Sequence, residues 1–422
     1  MRQQFFRVIA DLRFSIGLLL IIAFSSIIGT VIEQNQSIET YKLLYPLNNP
    51  CFSFLSWDII LKFGFDHIYK TWWFLFLIAL FGLSLSTCTA IQQIPELKVA
   101  RRCQFFRTDK PFNKLKIFTR LKLANINKLI FKIKGNQYSI FQQKNLIYSY
   151  KGLIGKFAPI VVHFSMILIL LGSIIGSLNG FNAQEIIPKT EMFHIQNILN
   201  SGQFTSIPKT SARINDFWIT YRPEKTVNQF YSNISILDGI GNEIVQKTLY
   251  VNLPTTYNHI TFYQTDWTLL AVRLKKNTSN FITQYPLINF IDDKSKIWIS
   301  WVPVNSQMND GLSLLVENLQ GYCSIYDKSG LFIGNIELNE GFNEISPLTF
   351  VDVISCTGLQ IKIDPGLPLI YSGFAFLMVS TLTSYITYSQ IWIIQDNKII
   401  YIGGTTSRAK YEFEIEFFKL TR

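Results

Sequence analysis

Charged residues are spaced very unevenly along this chain. Residues 14–32, 71–95, 157–184 and 365–395 contain no Asp, Glu, Lys or Arg. A helix needs roughly 20 such residues to cross a hydrocarbon core of about 30 Å, so each run is long enough. They predict four transmembrane helices, near 14–33, 72–92, 157–179 and 367–390. Residues 180–366 follow a different period. Short runs such as "FWITYRPE", "QFYSNISILDGIGNEIVQKTLYVN", "KIWISWVPV" and "YCSIYDKSGLFIGNIEL" alternate polar and apolar positions, the mark of strands buried on one face. Asp238-Gly239 and Lys328-Ser329-Gly330 are expected hairpin turns between them. Residues 113–150 share this look and predict a small hairpin unit.

The expected fold class is therefore an integral membrane α-helical protein with four transmembrane helices and a large β-rich extramembrane domain between helices 3 and 4. Its expected parts are 1–92 with the first two helices, a basic loop 93–156, helix 157–179, the β-rich domain 180–366, helix 367–390 and a tail 391–422. The basic start Met-Arg-Gln-Gln-Phe-Phe-Arg resembles a signal peptide. The apolar run after it is too long for one and no A-x-A-like site follows, so the first helix is expected to be retained.

Composition agrees with membrane segments: 48% of the 422 residues are hydrophobic and 15% aromatic. Charge then orients the chain. The segment from Gln93 to Lys156 holds 15 Lys or Arg against Glu96 and Asp109, a balance of +13 within a chain of net +11. Basic segments beside membrane spans stay on the side of synthesis. The loop and both termini are expected there, with 34–71 and 180–366 across the membrane. This topogenic charge leaves no need for a nucleic-acid partner.

The five cysteines, Cys51, Cys88, Cys103, Cys323 and Cys356, form no C-x-x-C, which excludes a dithiol redox motif and covalent haem attachment to this chain. Cys51, Cys323 and Cys356 share the far side; they are expected as isolated small apolar residues, with one disulfide as the alternative. Zinc motifs, phosphate-binding loops and nucleophile elbows are absent from the sequence.

Four histidines remain. His194 and His259 fall in the β-rich domain, where surface or hydrogen-bonded core positions are the default. His67 lies just before Trp72 and Trp73, an interfacial pair, and is either a polar interfacial residue or a cofactor ligand. His163 is the main candidate. Seven residues past Lys156, it stands about 10 Å along its helix, inside the hydrocarbon. An ionisable group at that depth marks function or a partner, and a neutral imidazole there relays protons or ligates a metal, most obviously haem iron. Ile167, Leu170 and Ile174 share its helix face, while Ser165, Gly172 and Gly176 lie opposite. The small residues are expected to pack within the protein, leaving the histidine face free for a ligand or second protein.

The stretches "DLRFSIGLLLIIAFSSIIGTVIEQ", "DHIYKTWWFLFLIALFGLSLSTCT", "KGLIGKFAPIVVHFSMILILLGSIIGSLNGF", "YVNLPTTYNHITFYQTDW" and "GLQIKIDPGLPLIYSGFAFLMVSTLTSYITYSQIWI", in this order, resemble the ResB/CcsB family of cytochrome c biogenesis proteins. The usage of Ile, Phe, Lys and Asn is similar to plastid-encoded members, with a cyanobacterial source as the alternative. The resemblance implies a subunit of a thylakoid complex that carries haem across the membrane, with its large domain in the lumen, for covalent attachment to apocytochrome c. It implies transient, non-covalent haem b as cofactor, His163 as an axial ligand to the haem iron, and no catalytic residue on this chain, which would act as a non-catalytic or co-catalytic subunit. It implies a CcsA-type haem-handling membrane protein, apocytochrome c and membrane lipid as partners. Many relatives have histidine just before the paired tryptophans; here that place is Lys70-Thr71, with His67 displaced by three residues. Two other classes stay open: a b-haem electron carrier, which would need further histidines in the spans, and a scaffold that holds apocytochrome or the haem-handling partner without touching haem.

Overall fold

The computed structural model describes residues 2–47, 55–122, 126–224, 226–276, 281–292, 295–304, 310–342, 348–396 and 399–421. The chain divides into two compact units, Met1–Ser177 with Gly366–Arg422, and Leu178–Pro365.

In the first unit four helices are long and apolar enough to cross a membrane: Leu12–Val31, Trp72–Ala100, Ile154–Asn179 and Leu367–Ser384. Asp11, in extended conformation, caps the first by accepting the Arg13 N–H at 3.2 Å. Proline in the first turn starts the fourth, where the missing N–H costs nothing. Leu20, Phe24, Met378 and Leu382 point outward from these helices, an apolar surface suited to lipid.

The third and fourth helices touch through small residues. A Cβ added to Gly366 would stand 2.0 Å from the Gly172 carbonyl oxygen, and one on Gly373 would stand 3.0 Å from that of Ser165. The face bearing Ser165, Gly172 and Gly176 is thus packed inside the protein, as expected. The opposite face is covered as well. Ile167 and Leu170 pack with Leu18, Phe81 and Leu85 of the first two helices, and Leu170 and Ile174 with Phe74 and Ile78. The expectation of a free histidine face is corrected: helical period tells which residues share a face, not whether another helix of the same chain covers it.

The fourth helix is also shorter than expected. It ends at Ser384, and Ser389–Asp396 is a strand. This strand is central in a five-stranded antiparallel sheet of spatial order Ile117–Lys122, Ile399–Thr406, Ser389–Asp396, Leu146–Lys151, Ser139–Gln143. Both of its faces are buried. Ile391 and Ile393 meet Leu129, Ile133, Phe413 and Phe417 from the helices Ile126–Gly135 and Lys410–Thr421, while Trp392 and Ile394 meet Phe112 and Tyr148. A strand buried on both faces reads as a continuous apolar run, which is why the sequence extends the helix to 390. The segment 93–156 and the tail 391–422, separate in the sequence, share this sheet.

In the second unit three sheets of seven, five and four strands contain only antiparallel pairings among the described residues. The long strands Ile260–Lys276 and Leu348–Ile363 pair along nearly their whole length and contribute to two cores, one around Trp298, Cys323 and Phe350, the other around Ile214, Leu249 and Phe262. Both expected turns are present. Asp238 Oδ1 accepts the N–H groups of Ile240 and Asn242 at 2.9 and 2.8 Å, and Gly330 supplies φ +80° between Tyr322–Asp327 and Phe332–Glu337. Cys323 and Cys356 are buried and free, so they form no disulfide with each other; Cys51 lies outside the described residues.

Candidate functional site

The second helix changes geometry where it meets His163. Regular α-helix runs over Trp72–Cys88, Thr89–Gln93 is a π-helical turn, and α-helix resumes at Ile94–Ala100. Local chemistry accounts for the break. Pro95 has no N–H to give the carbonyl four residues earlier. Just upstream, the hydroxyls of Ser86, Thr87 and Thr89 bond back to the carbonyls of Gly82, Leu83 and Leu85 at 2.8, 2.9 and 2.8 Å, contacts that loosen and bend helices. Such widened turns recur at functional sites. This one brings Thr89 and Gln93 together onto the half-buried His163 of the third helix.

Proton accounting assigns a tautomer to the imidazole. Thr89 has one hydroxyl proton, and it is given to the Leu85 carbonyl. Its oxygen, 2.9 Å from His163 Nδ1, therefore accepts a proton from that nitrogen. The neutral ring then carries hydrogen on Nδ1 and a lone pair on Nε2, the arrangement of a metal-ligating histidine held by a neighbouring oxygen. The Gln93 amide nitrogen stands 3.1 Å from Nε2 and 3.3 Å from Nδ1, covering the edge of the ring that bears both nitrogens. Gln93 Oε1 is buried and has no hydrogen-bond partner. A buried amide oxygen without a donor is costly, so Gln93 holds this position with one acceptor unsatisfied. One imidazole nitrogen in an apolar setting fits one axial position of a haem iron.

The other histidines are placed apart from this arrangement in their own surroundings. His67 pairs through Nδ1 with Asp66 Oδ2 at 2.8 Å, leaving Nε2 as its remaining polar atom; the other oxygen, Asp66 Oδ1, is buried and unpartnered. It precedes the second helix at the end opposite Gln93. His194 is exposed and bonded to Gln196 at 2.6 Å, and His259 sits at φ +67° in an exposed turn. Thr89 and Gln93 were missed in the sequence because their register to His163 depends on the π turn. The usable signal was the cluster of Ser, Thr and Gln in "STCTAIQQ", polar residues at the end of an otherwise apolar run.

The profile of the ResB-like family matches residues 12–311 and 321–418. The chain belongs to the ResB-like family. A curated relative named Cytochrome c biogenesis protein Ccs1, from Trieres chinensis, is 64% identical over 422 residues and covers 100% of both chains. Another, Cytochrome c biogenesis protein CcsB from Trichormus variabilis, is 42% identical over 428 residues, 100% of this chain and 92% of the relative. A solved structure of Cytochrome c Heme Lyase CcmF aligns with 73% of this chain and 30% of that chain at 9% identity and a TM-score of 0.24, which carries no argument. His163, Thr89 and Gln93 all fall inside the ResB-like match.

Proposed function

We propose that this ResB-like chain is a subunit of a thylakoid membrane complex that carries haem across the membrane and supports its covalent attachment to apocytochrome c on the lumenal side. The names of its full-length relatives support the general role. The observation that carries the finer reading is the imidazole of His163, set in a charge-free helix with Nδ1–H engaged by Thr89 and a lone pair left on Nε2. Haem iron, when bound, takes such a nitrogen as an axial ligand. His163 would supply the nitrogen, Thr89 would hold its ring by accepting from Nδ1–H, and Ile167 and Leu170 pack the neighbouring helix contact against water. One histidine supplies one ligand, so the second comes from a CcsA-type partner. His67, oriented by Asp66 at the far end of the second helix, is a second candidate ligand on the same path. The charge of 93–156 supports a reading in which that basic segment faces the stroma and the segment between the third and fourth helices faces the lumen.

A scaffold reading is favoured by the same hydrogen bonds, because Thr89 and Gln93 also satisfy a histidine that merely packs. The test is the visible spectrum and bound haem of the chain co-purified with its haem-handling partner, wild type against His163→Ala, beside the yield of holocytochrome c. Loss of haem and yield from an intact complex is expected. Unchanged haem and yield would give the role to the β-rich unit as a scaffold.

A further inference from the structure

Two adjoining cavities open at the end of the helices that carries the five-stranded sheet. The larger, about 490 Å³, lies between Gln92, Val99 and Ala100 of the second helix and, on the other side, Tyr388, just before the central strand, with Gln390 and Thr406 of the sheet. The smaller, about 110 Å³, reaches Gln93 and Pro159 and carries two cationic side chains, Lys156 and Arg408. Glu96, Lys156 and Ser407 line both. Together they have the size of a small-molecule site. Glu96 is the one carboxylate on the walls, paired with Lys156 at 3.3 Å, so the cations outnumber it. Arg408 is fixed there by donating to the Ser384 carbonyl at 3.1 Å, at the end of the fourth helix. Gln93 joins the cavities to His163: it lines the smaller one and covers the ring nitrogens. Pro159, on the same wall, is one turn before His163.

We propose, resting on the function proposed above, that this cavity is the stromal inlet of the site and that it receives the carboxylate edge of a porphyrin dicarboxylate, with Gln93 as a displaceable place-holder on His163. The dimensions suit that ligand. Lys156 stands seven residues from His163, about 10 Å along the helix, the reach of half a porphyrin with its carboxylate arm. The Gln93 amide, 3.1 Å from Nε2, occupies the place a metal ligated by that nitrogen would need, so Gln93 would have to move aside for the ligand. Its buried, unpartnered Oε1 means that this movement gives up one hydrogen bond and relieves one unsatisfied acceptor. The carboxylates replace Glu96 as partners of Lys156, an exchange between charge-assisted contacts.

The test is a titration of the full chain in nanodiscs, with empty nanodiscs as blank, using ferric haem and its dimethyl ester, which has no free carboxylate. Wild type should bind haem roughly ten- to a hundredfold tighter than the ester. Lys156→Gln should erase most of that difference, and Lys156→Arg should restore it. Gln93→Leu should tighten both probes, the opposite sign from that of damage to the fold. Equal affinity for haem and ester, equal weakening of both by Lys156→Gln, or no tightening by Gln93→Leu overturns the inference. His163→Ala separates it from the function it rests on: if the axial signature of both probes survives that change, or if neither probe binds above the blank, the proposed function falls as well.

Discussion

Replacing Gly366 by alanine tests whether the third and fourth helices are held by direct backbone contact. The backbone of Gly366, at φ −78° and ψ −22°, accepts any L residue without strain, so the substitution isolates the contact. The new Cβ would stand 2.0 Å from the Gly172 carbonyl oxygen and 3.0 Å from the Gly176 nitrogen. Restoring ordinary contact requires the helices to part by about 1.4 Å. Both obstacles are backbone atoms, so no rotamer change relieves the clash. Overpacking costs roughly 1–3 kcal/mol, and the absence of a flexible partner puts Gly366→Ala at about 3 kcal/mol. Gly17, in the first helix, is the control: a Cβ there meets nothing within 4 Å, and alanine should stabilise by about 0.5–1 kcal/mol through helix propensity. Unfolding in mixed micelles, followed by tryptophan fluorescence, reads both. A Gly366→Ala protein within about 0.5 kcal/mol of wild type, or one no less stable than Gly17→Ala, would refute the close crossing.

Thr89→Val keeps the shape but removes the oxygen that accepts from His163 Nδ1; haem retained by the co-purified complex should weaken roughly ten- to a hundredfold and return with Thr89→Ser, whereas equal retention in the valine variant would remove Thr89 from the site. Tyr388→Phe leaves the Ala100 carbonyl without its 2.9 Å donor and Gln390 without its 3.0 Å acceptor, at a cost of about 1–3 kcal/mol; amide exchange around residues 97–104 should quicken, and unchanged exchange would count against the link. Burial pushes the thiol of Cys323 up to about 12 and that of Cys356 to about 11 from an ordinary 9.0. The folded chain thus prefers both thiols neutral, so their contribution is intact below pH 9 and is lost as pH rises from 9 towards 11–12. The urea midpoint of wild type should fall across that window more steeply than that of a Cys323→Val, Cys356→Val double variant, and parallel curves would show the thiols to be uninvolved.

The legible and illegible parts of this molecule differ in how far apart in the chain their causes lie. The four apolar helices were visible because lipid-facing and packed positions alike are uncharged, so 14–32 or 157–184 announces itself without knowledge of neighbours. The turns at Asp238 and Gly330 were visible because a few adjacent residues set them. The end of the fourth helix was not, because Ser389–Asp396 is buried on both faces and only its pairing with Leu146–Lys151 and Ile399–Thr406 makes it a strand. The site divides the same way. His163 could be singled out from its depth in one helix, a local property. Thr89 and Gln93 could not, since a π turn on another helix sets their register to it. The inlet is further still from the sequence: Lys156, Gln93 and Arg408 come from three separate stretches, and they share a wall only because the basic segment and the tail build one sheet beneath the helices. That sheet gives the charge of 93–156 a second consequence beyond topology. The same basic segment whose charge predicts the orientation of the helices ends, at Lys156, in the cation nearest to His163 along its helix, so the orientation expected from charge and the ligand capture proposed above draw on one run of residues.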